Sequence, residues 1–76
     1  MSILITSQKE QIAQAILHRR KVLGIKQDDL AELADISVRY LYAIEKGKAN
    51  PSIETLINIL DVLGLTVNIN IKELRN

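Results

Sequence analysis

The 76-residue chain has no cysteine, no phenylalanine and no tryptophan, and it carries one proline, three glycines and one histidine. Without cysteine there are no disulfide staples and no thiolate zinc site. His18 stands alone, and no acidic residues cluster with it at ligand spacing, so neither a metal nor a cofactor is implied. It reads as an ordinary surface or boundary residue. No glycine-rich phosphate loop and no nucleophile–base pairing occur, which points away from an enzyme. Long apolar runs are also missing, so no membrane span is expected. Met1-Ser2-Ile3-Leu4-Ile5 is too short for the apolar region of a secretion signal, and the chain therefore reads as cytoplasmic.

What is present is aliphatic: Ile, Leu and Ala must build the core. A domain of this size buries only about 60% of its unfolded surface, so association with a second copy is the expected supplement. The net charge is only +1, but the charges are segregated. Lys9, Arg19, Arg20, Lys21 and Lys26 precede residue 27 with Glu10 as the single acid among them. Asp28, Asp29, Glu32 and Asp35 follow, and then Arg39, Lys46 and Lys48. The acidic group suits a solvated helix face or a partner surface, and Asp28 and Asp29 complement a helix N-terminus. The basic groups give a one-sided field of the kind a small nucleic-acid-binding module uses.

Four helices are predicted, with room for a fifth. Ser7 and Glu10 have the spacing of a capping box, which opens the first helix. Ile12, Ile16 and Leu23, with Ala13 and Leu17 beside them, form its apolar stripe, and Gly24 ends it. The second helix begins near Gln27. The third runs from about Val38 to Lys46, capped by Ser37 and stopped by Gly47. Ser52 caps the fourth, whose Ile53, Leu56, Ile57, Leu60 and Leu63 make a wide stripe ending at Gly64. Residues 66–71 then alternate polar and apolar, which is strand periodicity. A lone strand cannot satisfy its backbone. Pairing with the same strand of a second copy is preferred over pairing with Ile3–Ile5, and Leu60, Leu63, Val67, Ile69 and Ile71 would line that dimer seam. The expected division is a helical domain over 7–64 and a dimerisation strand and tail over 65–76.

The densest pattern lies between Gln27 and Ile44. Leu30, Ala31 and Ala34 share one helical face, Asp35-Ile36-Ser37 breaks it, and Leu41 and Ile44 resume it. Ala31 allows close helix crossing, and Ile36 plugs the core from the turn. This is the spacing of a helix-turn-helix. At about 100° per residue, Leu41 and Ile44 fix the buried direction of the third helix. Arg39, Tyr42, Ala43 and Lys46 then point outward, with Val38, Tyr40 and Glu45 on the flanks. Such a face suits the major groove: Arg can bond both acceptors of guanine, Ala admits close approach, and Lys reaches phosphate.

Residues 12–63 resemble the lambda-repressor-like (Xre-type) DNA-binding domain. Residues 23–31 (LGIKQDDLA) and residues 44–52 (IEKGKANPS) carry the likeness. More narrowly, residues 38–48 and Leu63-Gly64-Leu65 before the alternating segment resemble HipB-type antitoxins. The resemblance implies a mainly α fold and a homodimeric repressor of its own operon on double-stranded operator DNA. It also implies a HipA-like Ser/Thr kinase toxin as partner, in some systems split into two proteins. By the same likeness, Gln27 would hydrogen-bond phosphate and buttress the reading helix, and Arg20 and Glu45 would form a structural ion pair. Ser37, Val38, Arg39 and Ala43 would meet bases. Tyr40 and Tyr42 would meet phosphate or the groove edge, and backbone N–H groups near Gly47 and Lys48 would meet phosphate.

Three positions depart from the family pattern. Lys26 stands where Thr, Ser or Asn caps the second helix, although its charge could reach a phosphate. Asp35 stands where Gly is usual. Val38 replaces a polar base-reading residue, leaving methyl contact or shape readout. Two other functions fit the residues less well: a stand-alone repressor of a phage or mobile element, and a protein-interaction module that does not bind DNA.

Overall fold

A computed structural model describes residues 8–69. Among them lie four helices: α1 (Gln8–Leu23), α2 (Gln27–Leu33), α3 (Val38–Glu45) and α4 (Ile53–Leu63). Ser7 of the expected capping box, the Ile3–Ile5 segment and Ile71 lie outside the described residues.

The helix boundaries follow from local chemistry. The Ser37 hydroxyl accepts from the Tyr40 N–H at 3.0 Å, and Ser52 accepts from the Thr55 N–H at 3.1 Å. Each satisfies one N–H that the first turn of a helix leaves free. Lys26 occupies the corresponding place before α2 and offers no side-chain bond. All four helices end in the same way, with two backbone bonds reaching back across a left-handed residue. At the end of α3, the Gly47 N–H donates to the Ile44 carbonyl at 3.0 Å and the Lys48 N–H to the Ala43 carbonyl at 2.9 Å. Glycine supplies the left-handed residue at three of these ends, Gly24, Gly47 and Gly64; Asp35, at φ 61°, supplies it after α2.

The core is one cluster. Ile16, Leu30, Ala31, Ala34, Leu41, Ile44, Ile59, Leu60 and Leu63 are buried in it. Ile36 and Tyr40 pack against it from the turn and from α3. Fully burying an aliphatic side chain of this size stabilises by about 1.5–3 kcal/mol, so the cluster is the main support of the bundle.

The structure narrows the expected stripes. Ile12 and Leu23 of α1 are 39% and 43% exposed, and Ile53 and Ile57 of α4 are 75% and 46% exposed. Ile59, absent from the expected stripe, is fully buried. The periodic stripe is wider than the area that three neighbouring helices can cover.

The described part of the C-terminal segment is unpaired within this single chain. Residues 65–69 carry neither helix nor paired strand. Val67 and Ile69 stand 59% and 94% exposed. Leu63 and Leu60 belong to the core of the chain itself. An open apolar groove of about 260 Å³ instead runs between α1, α4 and this segment, lined by Ile12, Ala15, Leu56, Leu60, Leu65 and Val67.

Candidate nucleic-acid interface

The third helix is held in register by a buried charge. Glu45, which the helical wheel puts on a flank, is among the core residues at 7% exposure. Arg20 of α1 donates to it twice, from Nε to Oε2 at 2.7 Å and from Nη2 to Oε1 at 3.1 Å. A third guanidinium N–H, on Nη1, donates to the Ile25 carbonyl at 3.0 Å. The Gln27 amide, at the first position of α2, donates to Glu45 Oε1 at 2.9 Å. One carboxylate thus joins α1, α2 and the last turn of α3. Removing a carboxylate from water is costly, and charge-assisted, bidentate bonding offsets that cost. The expected Arg20–Glu45 pair is therefore present, and Gln27 buttresses α3 through Glu45.

With α3 pinned on its inner edge and capped at both ends, its outer residues form a surface. Arg39, Tyr42 and Lys46 are exposed, and Val38 at the first turn is 38% exposed. Ser37 is exposed although its hydroxyl is engaged in capping. The Lys46 ammonium sits 5.4 Å from the centroid of the Tyr42 ring, within cation–π range, which restrains the lysine on this face. Lys26 and Lys48 are exposed near the two ends of the unit.

Other expected site residues are less free. Ala43 is half-buried, and Tyr40 is half-buried against the core, so neither stands as free as Arg39 or Tyr42. The N–H groups of Gly47 and Lys48, expected to meet phosphate, are already engaged by the carbonyls at the end of α3. His18 is exposed.

In the sequence Lys21 is one of several basic residues. The structure brings it beside Gln27, Tyr42 and Lys46 at the edge of the interface. Nothing in the linear spacing marks that position, since the juxtaposition is tertiary. Among the described residues there is no cluster of three metal-ligating side chains. No helix there is long and apolar enough to cross a membrane.

The sequence profile of the helix-turn-helix family matches residues 16–69. The chain is 36% identical over 58 residues to the HTH-type transcriptional regulator DdrOP3 of Deinococcus deserti, covering 76% of this chain and 45% of that protein. It is equally similar over 58 residues to an uncharacterised HTH-type transcriptional regulator of Haemophilus influenzae, covering 76% of this chain and 59% of the relative. The chain thus spans about half the length of these two relatives. Among solved structures, the clp gene regulator ClgR of Corynebacterium glutamicum superposes with a TM-score of 0.78 at 27% identity, over 87% of this chain and 85% of that one. The profile match covers most of the chain, including the cap, turn and buried pair that set α3, and the chain belongs to the helix-turn-helix family, in the lambda-repressor-like form its sequence resembles.

Proposed function

We propose that the chain is a sequence-specific DNA-binding transcriptional repressor that inserts α3 into the major groove. The carrying observation is the pairing of a fixed inner edge with a free outer face. Glu45 is locked to Arg20 and Gln27, while Arg39 and Tyr42 of the same helix and its C-cap Lys46 stand in solvent. A helix already held in its bound position loses little conformational freedom on binding. Arg39 has the geometry to bond O6 and N7 of guanine. Ser37, Val38 and Ala43 supply small or methyl contacts, and Lys26, Lys46 and Lys48 supply charge toward phosphates. The names of the relatives, HTH-type transcriptional regulators, support the same reading.

The repressor acts as a homodimer, a reading supported by the exposed Val67 and Ile69 beside an open apolar groove. Its finer role is that of a HipB-like antitoxin that autoregulates its operon and binds a HipA-like kinase. That role rests on the likeness of residues 38–48 and 63–65 to such antitoxins.

Selection from a pool of random DNA duplexes tests the first part. Enrichment of a palindrome whose half-sites lie one helical turn apart, roughly 34 Å, is expected. Failure to enrich any sequence over non-specific binding would remove the repressor reading. The antitoxin role requires an adjacent reading frame with kinase motifs whose product co-purifies with this chain. A neighbourhood without one leaves a stand-alone repressor.

A further inference from the structure

Two neighbouring residues of α1 reach to two different helix ends. Arg20 is bound to Glu45 at the end of α3. Arg19 reaches the end of α4, where its Nε donates to the Leu63 carbonyl at 2.9 Å. Arg19 is half-buried and forms no ion pair among the described residues, so its guanidinium is committed to backbone there. The Leu63 carbonyl is one of those that the last turn of a helix leaves free. Gly64 follows in the left-handed region at φ 71°, and a Cβ on it would stand 3.5 Å from Arg19 Nη2. Beyond this corner the chain turns back along α1. Leu65 and Val67 share a groove with Ile12 and Ala15, and Ile69 shares another with Gln8 and Gln11. The Leu65 N–H donates to the Leu60 carbonyl at 2.8 Å, a bond that ties the segment to α4 alone. Arg19 adds a polar tie from α1 to the same corner.

We propose that Arg19 is a positioning residue that sets the spacing at which two copies accept their operator half-sites. That role rests on the homodimer reading above, in which Val67 and Ile69 lie in the seam between copies. The reading helix is tied to α1 through Arg20, and the corner that launches the seam segment is tied to α1 through Arg19. Residues 19 and 20 therefore make α1 a strut between the part that reads DNA and the part that pairs. The packing of α1 on α4 is otherwise apolar and non-directional, whereas a hydrogen bond fixes an angle. One base pair moves a half-site by about 3.4 Å along the duplex and turns it by about 35°, so loosening the corner widens the set of separations that two copies can span.

The test is a fluorescence-anisotropy titration of the full chain on duplexes carrying the selected half-sites at the selected separation and at separations changed by one or two base pairs. A duplex with a single half-site is the reference, and sedimentation at the same concentration records the oligomeric state. Wild type should bind the changed separations at least about tenfold more weakly, because the second copy then cannot engage without strain. Arg19→Ala should cut that penalty to about threefold or less, with the chain still dimeric and its binding to the single half-site unchanged. Arg19→Lys, which can still donate to the Leu63 carbonyl, should keep most of the penalty. Ala is the best helix former, and water reaches the corner at the exposed Gly64, so these variants fold. A merely stabilising role would lower the thermal midpoint of Arg19→Ala and leave the spacing penalty at its wild-type value, which overturns the proposal. An equal loss on every duplex, or an Arg19→Ala chain that falls to monomers, overturns it too. A wild-type chain that runs as a monomer, or that binds all separations alike, removes the homodimer reading and the role of Arg19 with it.

Discussion

Arg20 grips Glu45 with two N–H···O bonds, at 2.7 Å and 3.1 Å, across 25 positions of sequence. The side chains are 11% and 3% exposed, so the pair is not a surface ion pair whose energy solvent screens away. Glu45→Ala would leave the Arg20 guanidinium with the Ile25 carbonyl as its remaining partner. Breaking a buried pair from one side costs about 3–5 kcal/mol, and the partial access of Arg20 to water argues for the lower end. Denaturant unfolding measures this directly. A loss under about 1 kcal/mol would mean that solvent reaches the pair in solution.

Asp35 takes the left-handed backbone that glycine takes at the ends of the other three helices, with φ 61°. Aspartate tolerates this region better than most residues but not without strain. Asp35→Gly should therefore be neutral or stabilising by up to about 1 kcal/mol, the gain in strain being partly offset by the entropy of glycine. Asp35→Val should destabilise clearly. A lower thermal midpoint for the glycine variant would show that the aspartate side chain makes a bond the fold needs.

Lys26 has the extended backbone of an N-cap, φ −75° and ψ 155°, and makes no capping bond. Lys26→Thr adds a hydroxyl acceptor at the mouth of α2 and should raise stability by about 1 kcal/mol. The same substitution should weaken DNA binding if Lys26 also reaches a phosphate. Thermal unfolding and a binding titration of one variant separate the two roles; an unchanged midpoint rejects the capping argument.

Arg39→Ala should lose discrimination rather than general affinity. If its guanidinium reads guanine, binding to the selected operator falls by about 1–3 kcal/mol while binding to random duplex changes far less. An equal loss on both duplexes would reassign Arg39 to the phosphate backbone.

The helices were legible because their punctuation is local: Ser37, Ser52 and the glycines act on neighbouring backbone, and periodicity reports the rest. Burial was less legible. Ile12 and Ile57 satisfy the apolar period but stay 39% and 46% exposed, since period gives direction and not coverage. Glu45 is the converse, a charge that patterning sends to a flank and tertiary pairing buries. Its partner Arg20 came from resemblance to a family, because 25 intervening residues hide the contact from any local rule. Lys21 stayed hidden for the same reason: a cleft among three helices has no signature along the chain.

Val67 and Ile69 project apolar side chains into water from a segment with no paired strand among the described residues, beside a groove lined by Ile12, Ala15 and Leu56. Ile69 is 94% exposed, a position that costs solvation in a monomer and gains from a matching copy about a two-fold axis. Because Leu63 is committed to the core of each chain, the seam must draw on Val67, Ile69 and the open side of the groove, which Leu60 lines. Pairing would set two α3 helices roughly 34 Å apart, matching successive major grooves on one face of DNA. It would also make apparent stability fall on dilution. Ile69→Asp puts a carboxylate into that seam, with little effect on the bundle of a single chain, and should give folded monomers that scarcely bind the operator. Sedimentation at micromolar concentration decides the matter: a wild-type monomer there, or an Ile69→Asp chain that still dimerises, would sink this arrangement.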